Sequence, residues 1–315
     1  PSFSRRIRTT LSSRKGYIDL YFYVPVGYEE GRLEQDKYSV LVHFHGGGFT
    51  LGRARDDARW CQAVVEKTGA VVVNVDYRRA PQYPCPIPME DGCDAVLWII
   101  AHADELNLDL ARVATGGFSS GGNLAVTVPL RLQEELAGTG SPLKGGKAIE
   151  RDDARQRFPA DDRSKQINFI GMILWYPTVD YSITREQKRQ AVPTDPVPEF
   201  MSTMFNESYL QPPVDLMNPF VSPGRAPSCF LATLPKKMVI LCCEIDMLRP
   251  EVETFRDRLV SEQGKEVVYH CIPDVQHAFD KAPNPLRLSP VVAKYYSIAC
   301  GELAQIFAGN KINDC

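Results

Sequence analysis

Apolar, β-rich runs alternate along this chain with longer stretches that read as helices. YSVLVHFH (38–45), AVVVNVDY (70–77), VATGGFS (113–119), FIGMILWYP (169–177), MVILCCEID (238–246) and EVVYHCIPD (266–274) predict strands. They are apolar almost throughout, as strands covered on both faces of a parallel sheet are. Residues 54–68, 88–104, 120–137, 250–263 and 289–309 predict helices. Regular alternation of the two predicts an α/β fold with an open, doubly wound, mostly parallel sheet. GYIDLYFYVP (16–25) alternates more, which suits the start of an antiparallel edge.

Two stretches break the rhythm. Residues 139–166 mix both charge signs with little apolar material, and read as a solvated insertion. Residues 183–225 are too long for a plain connection between strands. They hold Pro193, Pro196, Pro198, Pro212 and Pro213 and one helix-capable piece, PEFMSTMFNESYL, and are expected to form a lid. Its Phe200, Met201, Met204, Phe205, Tyr209 and Leu210 fall at a spacing that could make one apolar helix face.

Composition narrows the function classes. The chain has 315 residues, 44% of them hydrophobic, and a formal net charge of −3. It reads as a single α/β domain, 1–315, large enough to bury its own core. Without a basic stripe, a nucleic-acid partner is not expected. No run approaches the ~18 apolar residues of a membrane span. The opening PSFSRRIRTTLSS has no apolar core behind its basic residues, so it is not read as a secretory signal. Nine cysteines, an odd number in no framework spacing, read as small buried thiols of a reducing, cytoplasmic compartment. No Cys/His cluster suggests zinc, and neither a metal nor a cofactor is expected.

ATGGFSSGGNLAV (114–126) carries the chemistry. Gly117-Phe118-Ser119-Ser120-Gly121 fits G-x-S-x-G between a predicted strand and a predicted helix, the setting of a nucleophile elbow. No phosphate-binding glycine motif completes the rival nucleotide-fold reading. A serine needs a base to take its proton. Of the five histidines, His277 follows the last strand, at the sheet edge where open α/β folds gather their ligands. The base needs an acid to fix its tautomer. Asp246 lies at the turn after a strand; Glu244, two residues back, ranks second, and Asp274 reads as structural. The order Ser119, Asp246, His277 belongs to one serine-hydrolase architecture alone. Three consecutive glycines in HFHGGGF then acquire a reason: acyl transfer makes an oxyanion, and bare N–H groups must meet it. Gly47, Gly48 and Ser120 are the expected donors.

These motifs together resemble the hormone-sensitive-lipase-like branch of the α/β-hydrolases, which includes plant and fungal carboxylesterases. The likeness runs over about residues 38–280 and includes VHFHGGGF, VDYRRAPQYPCPIPMEDGCDAVLW, GGFSSGGNLA, LWYPTVD, MNPFVSP, EIDMLRPE and HAF. It implies about eight strands, a cap built from residues 1–30 and 183–225, and a small-molecule ester as substrate. Phe49, Phe118, Met204 and Phe205 are the expected substrate contacts. Phe118, Ser120 and Ala278 stand where the family often has Asp, Ala and Gly, a departure that bears on substrate scope. The implied activity is a carboxylesterase forming an acyl-enzyme, with a deacylase or lactonase of a secondary metabolite within that class. The alternatives are a small-molecule receptor, a branch that lacks the histidine which this chain keeps, and a cyclase, lyase or acyltransferase using the same pocket.

Overall fold

The computed structural model describes residues 1–29, 37–137, 167–192, 197–281 and 289–309. The charged stretch 139–166 and Pro193 and Pro196 of the expected lid lie outside them. Eight strands form one sheet: β1 (Phe3–Arg8), β2 (Tyr17–Tyr23), β3 (Tyr38–Phe44), β4 (Val71–Asp76), β5 (Leu108–Phe118), β6 (Phe169–Trp175), β7 (Lys237–Ile245) and β8 (Glu266–Gln276). Their spatial order is β1-β2-β4-β3-β5-β6-β7-β8. Only β2 runs antiparallel to its neighbours. Helices α1 (Ala58–Thr68), α2 (Ile87–Ala101) and α3 (Ser120–Ala137) follow β3, β4 and β5. Beyond β6 come α4 (Arg185–Ala191), α5 (Glu199–Tyr209) and the short α6 (Ser228–Ala232); α7 (Arg249–Gln263) follows β7 and α8 (Pro290–Ala308) follows β8.

The sheet is covered on both faces, which is why its inner strands read as unbroken apolar runs. Trp60, Cys61 and Val64 of α1 pack with Tyr296, Cys300 and Leu303 of α8 against Leu41, Val72, Ile173 and Val239 on one face. On the other, Cys93 and Val96 of α2, Leu124 and Val128 of α3 and Phe255 of α7 pack with Val40, Val42, Val73 and Leu174. Fully buried side chains such as Leu41, Phe44 and Phe255 each contribute about 1.5–3 kcal/mol. The cysteines follow the same logic in part: Cys61, Cys93, Cys242, Cys243 and Cys300 are buried, whereas Cys229 and Cys271 are exposed.

The N-terminal segment departs from expectation. Residues 3–8 and 17–23 are strands of the sheet, so they are not cap. The expected edge strand β2 is covered in turn by β1, through an Arg6–Asp19 ion pair at 2.8 Å and a Phe3–Phe22 ring stack at 4.6 Å. Only the 9–16 connection reaches the carboxyl edge, since Arg8 and Tyr17 are paired there and Asp19 faces Asp76 at the end of β4. Asp94 of α2 clasps it, accepting from the N–H groups of Thr10 (2.7 Å) and Leu11 (3.1 Å). The 183–225 segment does carry the expected helix, as α5, but its apolar residues do not share one face. Tyr209 is buried, while Phe200 is 71% exposed and Met204 36%.

Candidate active site

Three strand ends converge at the carboxyl edge. Ser119 follows β5, Asp246 follows β7 and His277 follows β8. His277 Nδ1 lies 2.7 Å from Asp246 Oδ2 and its Nε2 lies 2.9 Å from Ser119 Oγ. A carboxylate only accepts, so Nδ1 carries the proton, and Nε2 is left to accept from the serine hydroxyl. The second oxygen of Asp246 accepts from Leu248 N at 2.9 Å, which fixes the carboxylate. Burial disfavours a charged imidazole, but the charge and hydrogen bond of Asp246 outweigh it, and the His277 pKa is raised. Glu244 is exposed and instead accepts from Asp274 N at 2.9 Å, so it ties β7 to β8.

The serine is presented by a strained turn. Ser119 has φ 52°, in the left-handed region that side chains avoid at a cost of about 1–2 kcal/mol. Its backbone is held there: its N–H donates to Trp175 O at 2.9 Å and its carbonyl accepts from Asn123 N at 3.2 Å. A side chain at Gly121 would sit 2.0 Å from Phe44 O, so β3 and the start of α3 can close up only around glycine.

The glycine loop follows β3 directly. Gly47 has φ 120°, and its carbonyl accepts from Thr50 N (3.0 Å) and Leu51 N (2.8 Å). A Cβ on Gly47 would meet Leu51 O at 2.1 Å. Tyr77 ties this loop to the elbow: its hydroxyl donates to His45 O at 2.9 Å, lies 3.5 Å from Ser120 Oγ, and its ring stacks on His45 at 4.1 Å. Gly47→Ala is therefore expected to distort the loop and lower kcat by roughly 10²–10³, the scale of a lost oxyanion donor. Steady-state kinetics on a soluble ester check this; a change confined to KM would mean that the glycines shape only how substrate gets in.

Of the four expected substrate contacts, two are corrected. Phe118 is fully buried, because it alternates with Ser119 and turns into the layer below, between Trp60 (6.2 Å) and Trp175 (5.4 Å). Phe49 is fully buried too, stacked at 3.7 Å on Tyr209, and so fastens the glycine loop to α5. Phe205 packs on Gly48, where an added Cβ would meet its ring at 2.5 Å. Met204 instead borders an outer groove of about 420 Å³ with Pro81, Phe200 and Glu207.

Residues that the sequence reading passed over complete the surroundings. Asp91 of α2 holds Arg78 by Nε (2.9 Å) and backbone N–H (2.9 Å), steadying the segment after β4. Glu251 of α7 accepts from Val179 N at 2.8 Å and pairs with Lys188 of α4, which ties the segment after β6 to α7. Acidic and basic residues in the sequence were the available signal: Arg78 and Asp91 stand only 13 positions apart, whereas the Lys188–Glu251 pair joins distant segments. Among the described residues, no group of three or more His, Cys, Asp or Glu could hold a metal ion. Among them, no helix is long and apolar enough to cross a membrane.

Comparison with known proteins agrees with this architecture. A family model described as the alpha/beta hydrolase fold matches residues 41–281, and the chain belongs to that family, in its hormone-sensitive-lipase-like branch. It is 28% identical over 250 residues to Esterase LipI of Mycobacterium tuberculosis, covering 78% of this chain and 67% of that protein. It is 26% identical over 255 residues to an arylesterase of Saccharolobus solfataricus, covering 81% and 72% respectively. Carboxyl esterase 2 of the mycorrhizal fungus Tuber melanosporum superposes with a TM-score of 0.75 at 21% identity, covering 97% of this chain and 87% of that one, which speaks to the fold.

Proposed function

We propose that this protein is a serine carboxylesterase working through an acyl-enzyme. The observation that carries the reading is the unbroken chain from Asp246 through His277 to Ser119, at 2.7 and 2.9 Å. Ser119 Oγ attacks the ester carbonyl while His277 Nε2 takes its proton. Asp246 stays ionised and stabilises the imidazolium. The oxyanion is met by the N–H groups of Gly47, Gly48 and Ser120, the last aided by the positive end of α3. His277 then protonates the departing alcohol. Water repeats the cycle and frees the acid and the serine. The same steps open a lactone or remove an acyl group from a secondary metabolite. A receptor has no use for an aligned base, so His277 speaks against that alternative.

A fluorophosphonate probe tests the reading. It should label Ser119 stoichiometrically and abolish hydrolysis of p-nitrophenyl acetate. Hydrolysis in ¹⁸O-water should place one label in the released acid. Absence of labelling on folded protein, or transfer of the acyl group to another acceptor with no acid formed, overturns it.

Lid residues 204 and 205 are expected to differ. The Phe205 ring covers Gly48, so Phe205→Ala should enlarge the space above the glycine loop and favour bulkier acyl groups. The shift in relative kcat/KM across a p-nitrophenyl ester series should be about 10–200-fold, the range of a single methylene in an apolar pocket. Met204→Ala, in the outer groove, should change all esters alike. Equal behaviour of the two variants would reduce α5 to packing.

A further inference from the structure

Beneath the Ser119–His277 pair lies a charged cluster that hydrolysis itself does not call on. Lys281 follows His277 by four residues, in the turn Phe279–Lys281. Its ammonium donates to Asp57 Oδ1 at 2.6 Å and lies 2.9 Å from Asp280 Oδ2. It also sits 3.4 Å from the centroid of Phe118, the residue before Ser119. Asp57, at the start of α1, is 1% exposed and pairs its other oxygen with His43 Nε2 of β3 at 2.9 Å. Asp280 accepts from the hydroxyls of Tyr176 and Tyr296, the latter at 2.7 Å. The Tyr176 ring in turn lies edge-on to His277, with centroids 4.8 Å apart.

The cluster therefore bridges both reacting residues. On one side it presses on Phe118 and so on the elbow. On the other it grips the loop that carries the base, whose Ala278 is held at φ 60° and accepts from Lys281 N at 2.9 Å. Two carboxylates face one ammonium, and burial keeps His43 neutral by depressing its pKa. The Asp57 and Asp280 carboxylates are buried while the Lys281 side chain is 27% exposed, so removing the ammonium leaves two buried charges uncompensated. What such a network supplies is one defined arrangement in place of several.

We propose that Lys281 is a positioning residue. Through Asp280 and Asp57 it sets the His277 loop in register with the Ser119 elbow, so that Nε2 meets Oγ. The inference rests on the serine-esterase reading above. A misplacement of about 1 Å costs on the order of 10² in rate, so the effect belongs in kcat and in the acylation of Ser119, not in KM.

Wild type, Ser119→Ala, Lys281→Met, Lys281→Arg and Tyr296→Phe are compared on p-nitrophenyl acetate and with a fluorophosphonate, each checked for folding by circular dichroism and thermal melting. Lys281→Met should lower kcat roughly 10–100-fold, the scale of an ångström misplacement, with KM little changed. Its rate of Ser119 labelling should fall by a similar factor. Lys281→Arg, which keeps the charge between the two carboxylates, should recover most of both. A folded Lys281→Met enzyme with wild-type kcat overturns the proposal, as does an Arg variant no better than Met. If Lys281→Met fails to fold, Tyr296→Phe decides: a lower kcat at unchanged KM and melting supports the positioning role, and an unchanged kcat overturns it. Wild type that neither hydrolyses the ester nor takes the probe sinks the esterase reading itself, and this inference with it.

Discussion

Ser119→Ala should lower kcat for ester hydrolysis by on the order of 10⁶, the loss seen when a triad nucleophile is removed in a subtilisin-type enzyme. The fold should survive. The backbone bonds that hold the elbow, Ser119 N to Trp175 O and Asn123 N to Ser119 O, do not involve the hydroxyl. Alanine also tolerates the φ of 52° no worse than serine does. Circular dichroism and thermal melting of the variant, alongside its residual rate on p-nitrophenyl acetate, make the comparison. Near-wild-type turnover by clean variant protein would end the assignment of Ser119 as nucleophile.

Asp246→Asn should be nearly as damaging, at roughly 10⁴ in kcat. An amide at this position can offer its N–H to His277 Nδ1, which favours the tautomer that leaves Nε2 protonated and unable to accept from Ser119. It also brings no charge to stabilise the imidazolium. Asp246 is 2% exposed, so water cannot take over its place. Glu244→Gln is the control: Glu244 is exposed and accepts from the Asp274 N–H, which an amide oxygen can also do, so the change should cost little. If the Gln variant proves the weaker enzyme, the acid is Glu244 and the distances above are not those of the working state.

Why was so much of this arrangement readable in the chain? Ser119, Asp246 and His277 each directly follow a strand. In an open parallel sheet, the carboxyl ends of neighbouring strands lie side by side. Ser119, Asp246 and His277 could therefore be placed together from local pattern alone. The same rule failed for β1, where FSRRIR buries only Ile7 and is made a strand by its partner β2. It failed again for Phe49 and Phe118. Adjacency to the glycine loop and the nucleophile suggested contact with substrate, but the chain turns each ring inward, against Tyr209 and the Trp60–Trp175 layer respectively. Lys281 and Asp57 are 224 positions apart, and no local pattern announces their pairing. Periodicity reports which face is covered. It does not report which distant charge does the covering.

In the proposed mechanism the base comes from the loop after the last strand, 158 positions beyond Ser119. Synthesis proceeds from the amino end at about 5–20 residues per second. A nascent chain that has emerged only as far as Asp246, just past β7, already holds Ser119 and the glycine loop, yet has nothing to take the serine's proton. Hydrolytic competence thus arrives late, when β8 has docked on β7 and α8 has come to rest on α1. Turnover of a chromogenic ester during translation would accordingly serve as a clock for the completion of folding, silent for every shorter intermediate.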